Sequence, residues 1–252
     1  VLLNNALQLN LRMKKFLYIL IGLLVLVVIA PNRLSYSTVI PKESVAKEVA
    51  PSISMESNQK LTNQLNRSDI QAIVFNKSRE YGMNWQLIMA IIEQESKFDE
   101  MAVSKRGAQG LMQIMPGTQK DITENLGNVF NPHGNIDLGI NYFSKLYKLF
   151  ESSSEEDRIS LALAAYNAGP SRIYDAQEVA AYLGEDPFSW RAIQNALPLL
   201  SKRFQSLHQS IWDGGKPRNG YFGSWRQTIL YVKNIKNFWN QRTSSQKLPL
   251  SN

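Results

Sequence analysis

From residue 67 onward the apolar positions recur at helical spacing, and no strand-like alternation of convincing length appears. Ser68-Asp69-Ile70-Gln71 has the S-x-x-Q form of a capping box, which predicts a helix from there to Tyr81, ended by Gly82. A second helix follows Asn84 and carries Trp85 through Glu95. Ile88, Ile91 and Ile92 lie seven, four and three positions before Glu95, so this carboxyl group continues the apolar stripe while Glu93 points elsewhere. The stretch 102–114 is too rich in small and turn residues for a long helix, and Pro116 with Thr118 starts the next one. Behind Asn135, read as a cap, Ile136, Ile140, Phe143, Tyr147 and Phe150 repeat at helical spacing. An Ala-rich helix over 158–167 ends at Gly169 and Pro170, and helices over 171–183, 190–200 and 227–239 complete the pattern. The expected fold class is all-α, with at most a small β element near 103–115.

The first quarter of the chain is patterned differently. Met13, Lys14 and Lys15 precede a continuous apolar run from Phe16 to Ala30, the form of a basic start followed by an export-signal core. A run of about 15 residues is long for such a core and short for a full span of roughly 20. Val28 and Ala30 suit a signal peptidase but Pro31 directly after them does not, so the segment reads as a signal peptide or, preferentially, an uncleaved membrane anchor, with Met13 a candidate start. The expected organisation is a 1–12 upstream extension, a 13–35 signal or anchor, a 36–66 polar stalk, a 67–242 catalytic domain and a 243–252 tail. Such a chain would hold its domain outside the cytoplasmic membrane, at the cell envelope.

Candidate chemistry centres on Glu95. A carboxyl group on a buried face is desolvated and its pKa rises, which lets it carry a proton near neutral pH and act as a general acid. A salt-bridged or capping glutamate at a helix end is the structural alternative, and helical spacing alone leaves the two balanced. Among the 252 residues there is no cysteine, which excludes disulfides, thiolate metal sites and a cysteine nucleophile. His133 and His208 are the only histidines and lie far apart in sequence, so neither a metal nor a cofactor is expected. The formal net charge of +7 is spread along the chain and suits an anionic or polymeric partner. Without a nucleic-acid-binding module, nucleic acid is not the expected one.

Four segments in order resemble the lytic transglycosylase family with the goose-type-lysozyme-like fold, the SLT domain, and are most similar to the catalytic domain of the membrane-bound type F enzymes. They are Gln94-Glu95-Ser96 with Ala102-Val103-Ser104 and Gly107-Ala108, then Gly110-Leu111-Met112-Gln113-Ile114-Met115-Pro116, then Ala165-Tyr166-Asn167-Ala168-Gly169-Pro170, and finally Tyr231-Val232 with Ile235. Type F enzymes usually carry a solute-binding-protein-like domain ahead of the catalytic one, and the residues before 67 are too few to supply it. The chain therefore resembles a catalytic domain alone on an anchor.

The resemblance implies peptidoglycan glycan strands as substrate, cut between N-acetylmuramic acid and N-acetylglucosamine with a 1,6-anhydro product. It makes Glu95 the acid and then the base, and it implies substrate-side roles for Ser96, Met112, Gln113, Tyr166, Asn167 and Tyr231. Gln113 would donate to sugar or to Glu95. Tyr166 would offer a ring face, Asn167 an amide for the acetamido group, and Tyr231 a hydroxyl near the acid. Taken singly, Met112 and Tyr166 read as core, and Ser96 as a serine at a helix C-terminus. Where the family commonly has Glu-Thr before the late tyrosine, this chain has Gln227-Thr228. The segment 212–225 reads as a cleft-edge loop, Asp99 and Glu100 as solvated acids, and Asp137 as a first-turn residue. A lysozyme-type hydrolase and a non-catalytic wall-binding scaffold with protein partners in an envelope assembly are the rival readings.

Overall fold

The computed structural model describes residues 65–122 and 131–245, all within one compact unit, Lys60–Asn252. The expected anchor and most of the expected stalk lie outside the described residues. No helix among the described residues is long and apolar enough to cross a membrane.

Among the described residues nine α-helices follow one another: α1 (Arg67–Glu80), α2 (Trp85–Ser96), α3 (Pro116–Ile122), α4 (Pro132–Lys148), α5 (Glu155–Ala168), α6 (Pro170–Tyr182), α7 (Trp190–Ala196), α8 (Gln205–Ile211) and α9 (Trp225–Ser245). Two short 3-10 turns, Leu197–Leu200 and Lys202–Phe204, join α7 to α8. Among the described residues the only β features are two isolated bridges, Val103 with Gln109 and Gln109 with Ile114. The fold is all-α, and the expected β element reduces to these two bridges.

α2 forms the centre. Its residues from Leu87 to Ile92 are all buried, as expected of a helix that is apolar all round. Each fully buried isoleucine there contributes about 1.5–3 kcal/mol relative to exposure. α1 and α9 pack on α2, while α5 lies among α4, α6, α7 and α9. The small side chains Ala162, Ala164 and Ala165 let α5 approach its neighbours closely, and all three are buried.

Several boundaries differ from the sequence pattern. The cap of α1 is Asn66, whose Oδ1 accepts from the Ser68 and Asp69 amides while Asp69 Oδ2 accepts from the Asn66 amide at 3.1 Å. The expected Ser68–Gln71 box is thus shifted by two residues to Asn66–Asp69. Asn84 caps α2 as expected, accepting from the Gln86 and Leu87 amides. Asn135 is not a cap: Asn131 caps α4 and Pro132 occupies its first turn. Asp137 accordingly lies beyond the first turn, where it accepts from the Tyr81 hydroxyl at 3.1 Å and pairs with Lys77 at 3.3 Å. The segment 212–224, which joins α8 to α9, is fastened to α6. Asp175 accepts from the Asn219 backbone and side-chain amides, both at 3.1 Å, and Glu178 accepts from the Trp212 indole and from Arg218.

Candidate active site

α2 ends abruptly just past Glu95. Lys97 and Phe98 adopt positive φ angles of 54° and 68°, and the Lys97 amide still donates to the Glu93 carbonyl at 3.2 Å. Two non-glycine residues in the left-handed region cost about 1–3 kcal/mol each. The Phe98 ring packs against the core beneath the Arg67 guanidinium, 4.3 Å from its centroid, which offsets part of that strain. Glu93 pairs with Arg242 and Arg67 on another face of the helix. Glu95 is left half-buried and without an ion-pair partner among the described residues.

The Tyr231 hydroxyl on α9 donates to Glu95 Oε1 at 2.5 Å. Burial pushes the Glu95 carboxyl up from 4.5 to about 7, and the Tyr231 hydrogen bond opposes that rise only in part. No other carboxylate contributes to the shift. Asp99 is exposed and accepts from the Met101 amide at 2.9 Å, so it remains a loop residue. The arrangement is one acid poised to hold a proton near neutral pH, with one hydroxyl to steady its charged form.

The loop after α2 folds back through short backbone pairs. The Gly110 amide donates to the Ala102 carbonyl at 2.9 Å, and Gln109 and Ile114 exchange two hydrogen bonds at 3.1 and 2.9 Å. Gly107 and Gly110 take positive φ at the two corners, where a side chain would be strained. Gln113 also takes a positive φ of 49°, and its Nε2 donates to the Ala102 and Gly110 carbonyls at 3.0 and 2.9 Å. Both amide hydrogens are therefore committed to the loop, rather than to Glu95 or a sugar as expected.

Met112 is gripped from both sides. Its amide donates to Asn135 Oδ1 at 2.7 Å, its carbonyl accepts from the Tyr166 hydroxyl at 2.7 Å, and Asn135 Nδ2 donates to the Gln109 carbonyl at 2.9 Å. The Met112 side chain is fully buried and presses on Gly139, one turn after Asn135, where an added Cβ would fall 2.3 Å from Met112 Sδ. Met112 thus meets the site through its backbone and the core through its side chain. Tyr166 stands beside Tyr142 and Phe143, with ring centroids 5.4 and 6.2 Å away. Burial first, then the nearby Glu95 charge, holds the hydroxyls of Tyr166 and Tyr231 well above their usual range, so both stay protonated donors. Ser96 is buried and donates to the Ile92 carbonyl at 3.2 Å, the back-bond of a serine in the last helical turn. Asn167 is exposed, and its Oδ1 accepts from the buried Thr228 hydroxyl at 2.8 Å. Tyr231 therefore touches Glu95, Tyr166 lies within its electrostatic reach while bonded to the Met112 carbonyl, and Asn135, expected only as a cap, and Thr228, noted only beside Gln227, also contribute contacts.

Residues 72–187 match the model of the Transglycosylase SLT domain, a segment that includes Glu95, the loop and Tyr166-Asn167. Over this segment the chain is similar to that family. The chain is 37% identical over 163 residues to membrane-bound lytic murein transglycosylase F 1 of Alkalilimnicola ehrlichii, a match covering 64% of this chain and 31% of the relative. It is 38% identical over 124 residues to membrane-bound lytic murein transglycosylase F of Desulfosudis oleivorans, covering 49% of this chain and 27% of the relative. The chain thus spans roughly a third or less of the length of these curated relatives. Among solved structures, the 70-kDa soluble lytic transglycosylase of Escherichia coli aligns at 22% identity with a TM-score of 0.49, over 70% of this chain and 24% of that one.

Proposed function

We propose that this domain is a lytic transglycosylase that cleaves the β-1,4 bond between N-acetylmuramic acid and N-acetylglucosamine in peptidoglycan. The observation that carries the reading is the single half-buried acid, held near pKa 7 and touched by one tyrosine hydroxyl, inside a segment similar to the SLT family. Glu95 gives its proton to the bridging oxygen as the C1–O bond breaks. The substrate's own acetamido group supports the charge that develops at C1, which is why one carboxyl group is enough. The resulting Glu95 carboxylate, steadied by the Tyr231 hydroxyl, takes the proton of the muramic C6 hydroxyl as that oxygen closes on C1. Proton and carboxyl are restored, no water is consumed, and a 1,6-anhydro end is left.

Digestion of purified sacculi followed by mass spectrometry tests this directly. The expected fragments are lighter by one water than those of a lysozyme-type hydrolase, and Glu95→Gln should release none. Hydrolysed ends would assign the hydrolase reading instead, and full activity in Glu95→Gln would remove Glu95 from the chemistry.

The same proposal puts the domain at the cell envelope. Its supports are the basic and apolar pattern from Met13 to Ala30 and the relatives' description as membrane-bound. Fractionation of cells producing the full chain should recover it with membranes, and recovery with the cytosol would contradict the placement.

A further inference from the structure

We propose that the concave site between α7 and α9 is a second binding site for peptide-bearing, N-acetylated glycan, holding a stretch of wall other than the one being cut, an inference that rests on the lytic transglycosylase reading. The site has a volume of about 280 Å³ and draws Trp190 and Gln194 from α7 and Val232, Lys233, Lys236, Asn237 and Asn240 from α9. At about 100° per residue, Lys233, Lys236 and Asn240 lie roughly 140° to 200° around α9 from Tyr231. One side of α9 therefore carries the hydroxyl that touches Glu95, and the opposite side carries this site. A sugar seated here is not the sugar at the acid.

Val232 is buried and Trp190 half-buried against the core, and together they give the site an apolar base on which the apolar face of a sugar ring can lie. Gln194, Asn237 and Asn240 are exposed around that base, and among the described residues none of their side-chain amides has a hydrogen-bond partner. A lone solvated amide on a helix surface would mean nothing, but here three unspent ones border a single apolar concavity. Each can both donate and accept, as acetamido groups and hydroxyls require. Lys236 is held by Glu156 at 2.7 Å, whereas Lys233 is exposed and has no acidic partner among the described residues. One unpaired ammonium beside three amides suits a polymer with an acetamido group on every sugar and carboxylates only on its peptides. A polyphosphate calls for several cations in a row.

Co-sedimentation with purified sacculi tests the assignment, using the full chain carrying Glu95→Gln so that the wall stays intact. In that background Lys233→Glu together with Asn237→Ala, both at exposed helix positions that do not threaten folding, is expected to weaken binding about fivefold to tenfold. Lys145→Glu makes the same change of charge at an exposed position of α4 and should weaken it less than about twofold. With Glu95 restored, the Lys233 and Asn237 pair should raise KM on sacculi while leaving kcat/KM on a soluble tetrasaccharide fragment of peptidoglycan unchanged, because the fragment needs only the cleft. No sacculus binding by the parent protein, unchanged binding in the pair, an equal loss in Lys145→Glu, or a matching loss of kcat/KM on the fragment would overturn the proposal. So would single-stranded DNA bound by the parent protein and lost in the pair, which would reassign the site to a polyphosphate. Failure of the broader reading looks different, since the unmodified chain would then release no anhydro product from sacculi.

Discussion

Glu95 keeps its proton to about pH 7 because burial outweighs the one hydrogen bond that favours its charge. On the proposed mechanism Glu95 must be protonated to act, so kcat/KM on peptidoglycan is expected to fall as pH rises through about 7. The same shift acts on stability. The folded state holds this proton more tightly than the unfolded chain, so the associated stabilisation is fully present below about 4.5 and lost as pH rises through about 7. Glu95→Gln should therefore melt above the parent protein at pH 8, with the difference fading toward pH 4.5. A constant difference across that range would contradict the shift. Tyr231→Phe removes the influence that lowers the Glu95 pKa, so the alkaline limb of the activity profile should move to higher pH. Turnover should fall about tenfold to a hundredfold, because the carboxylate formed after proton transfer loses a charge-assisted hydrogen bond. At this scale the Glu95 stripe was legible from helical periodicity. The commitment of Gln113 to its own loop was not, because it follows from a positive φ that nothing in the local sequence demands.

At the scale of elements, α4 braces the active-site loop with Asn135 and Gly139. Asn135 was misread as a cap because an asparagine heading an apolar stripe has the local signature of one, and its real partners, Gln109 and Met112, lie 26 and 23 residues away. Asn131 followed by Pro132 was the better local cap signal. Asn135→Ala leaves the buried Met112 amide and the Gln109 carbonyl without this partner and is expected to destabilise the protein by about 2–4 kcal/mol in denaturant melts. Gly139→Ala sets two effects against each other. Alanine gains about 1 kcal/mol of helix propensity, but its Cβ would meet Met112 Cβ at 2.7 Å, an atom that cannot swing aside, and overpacking of this kind costs about 1–3 kcal/mol. The crowding should win, giving a lower melting temperature. A stabilised Gly139→Ala would show that the loop is free to move off α4. The helical class and most helix centres were readable from spacing, whereas α8 was not, being only seven residues long with no side-chain cap.

For the molecule as a whole, the net charge of +7 suits an anionic polymer, and association with sacculi should weaken as salt rises from about 0.05 to 0.5 M. Salt-independent binding would assign recognition to the cleft alone. The order in which the site is put together bears on when the protein can act. Glu95 belongs to the second described helix and Tyr231 to the last, and α9 also supplies Thr228 and packs on both α2 and α5. A chain emerging from the ribosome has its acid long before it has the helix that steadies that acid. On the proposed mechanism a chain without α9 would hold the acid but not the hydroxyl that steadies it, and is expected to be inactive toward the wall until α9 has docked.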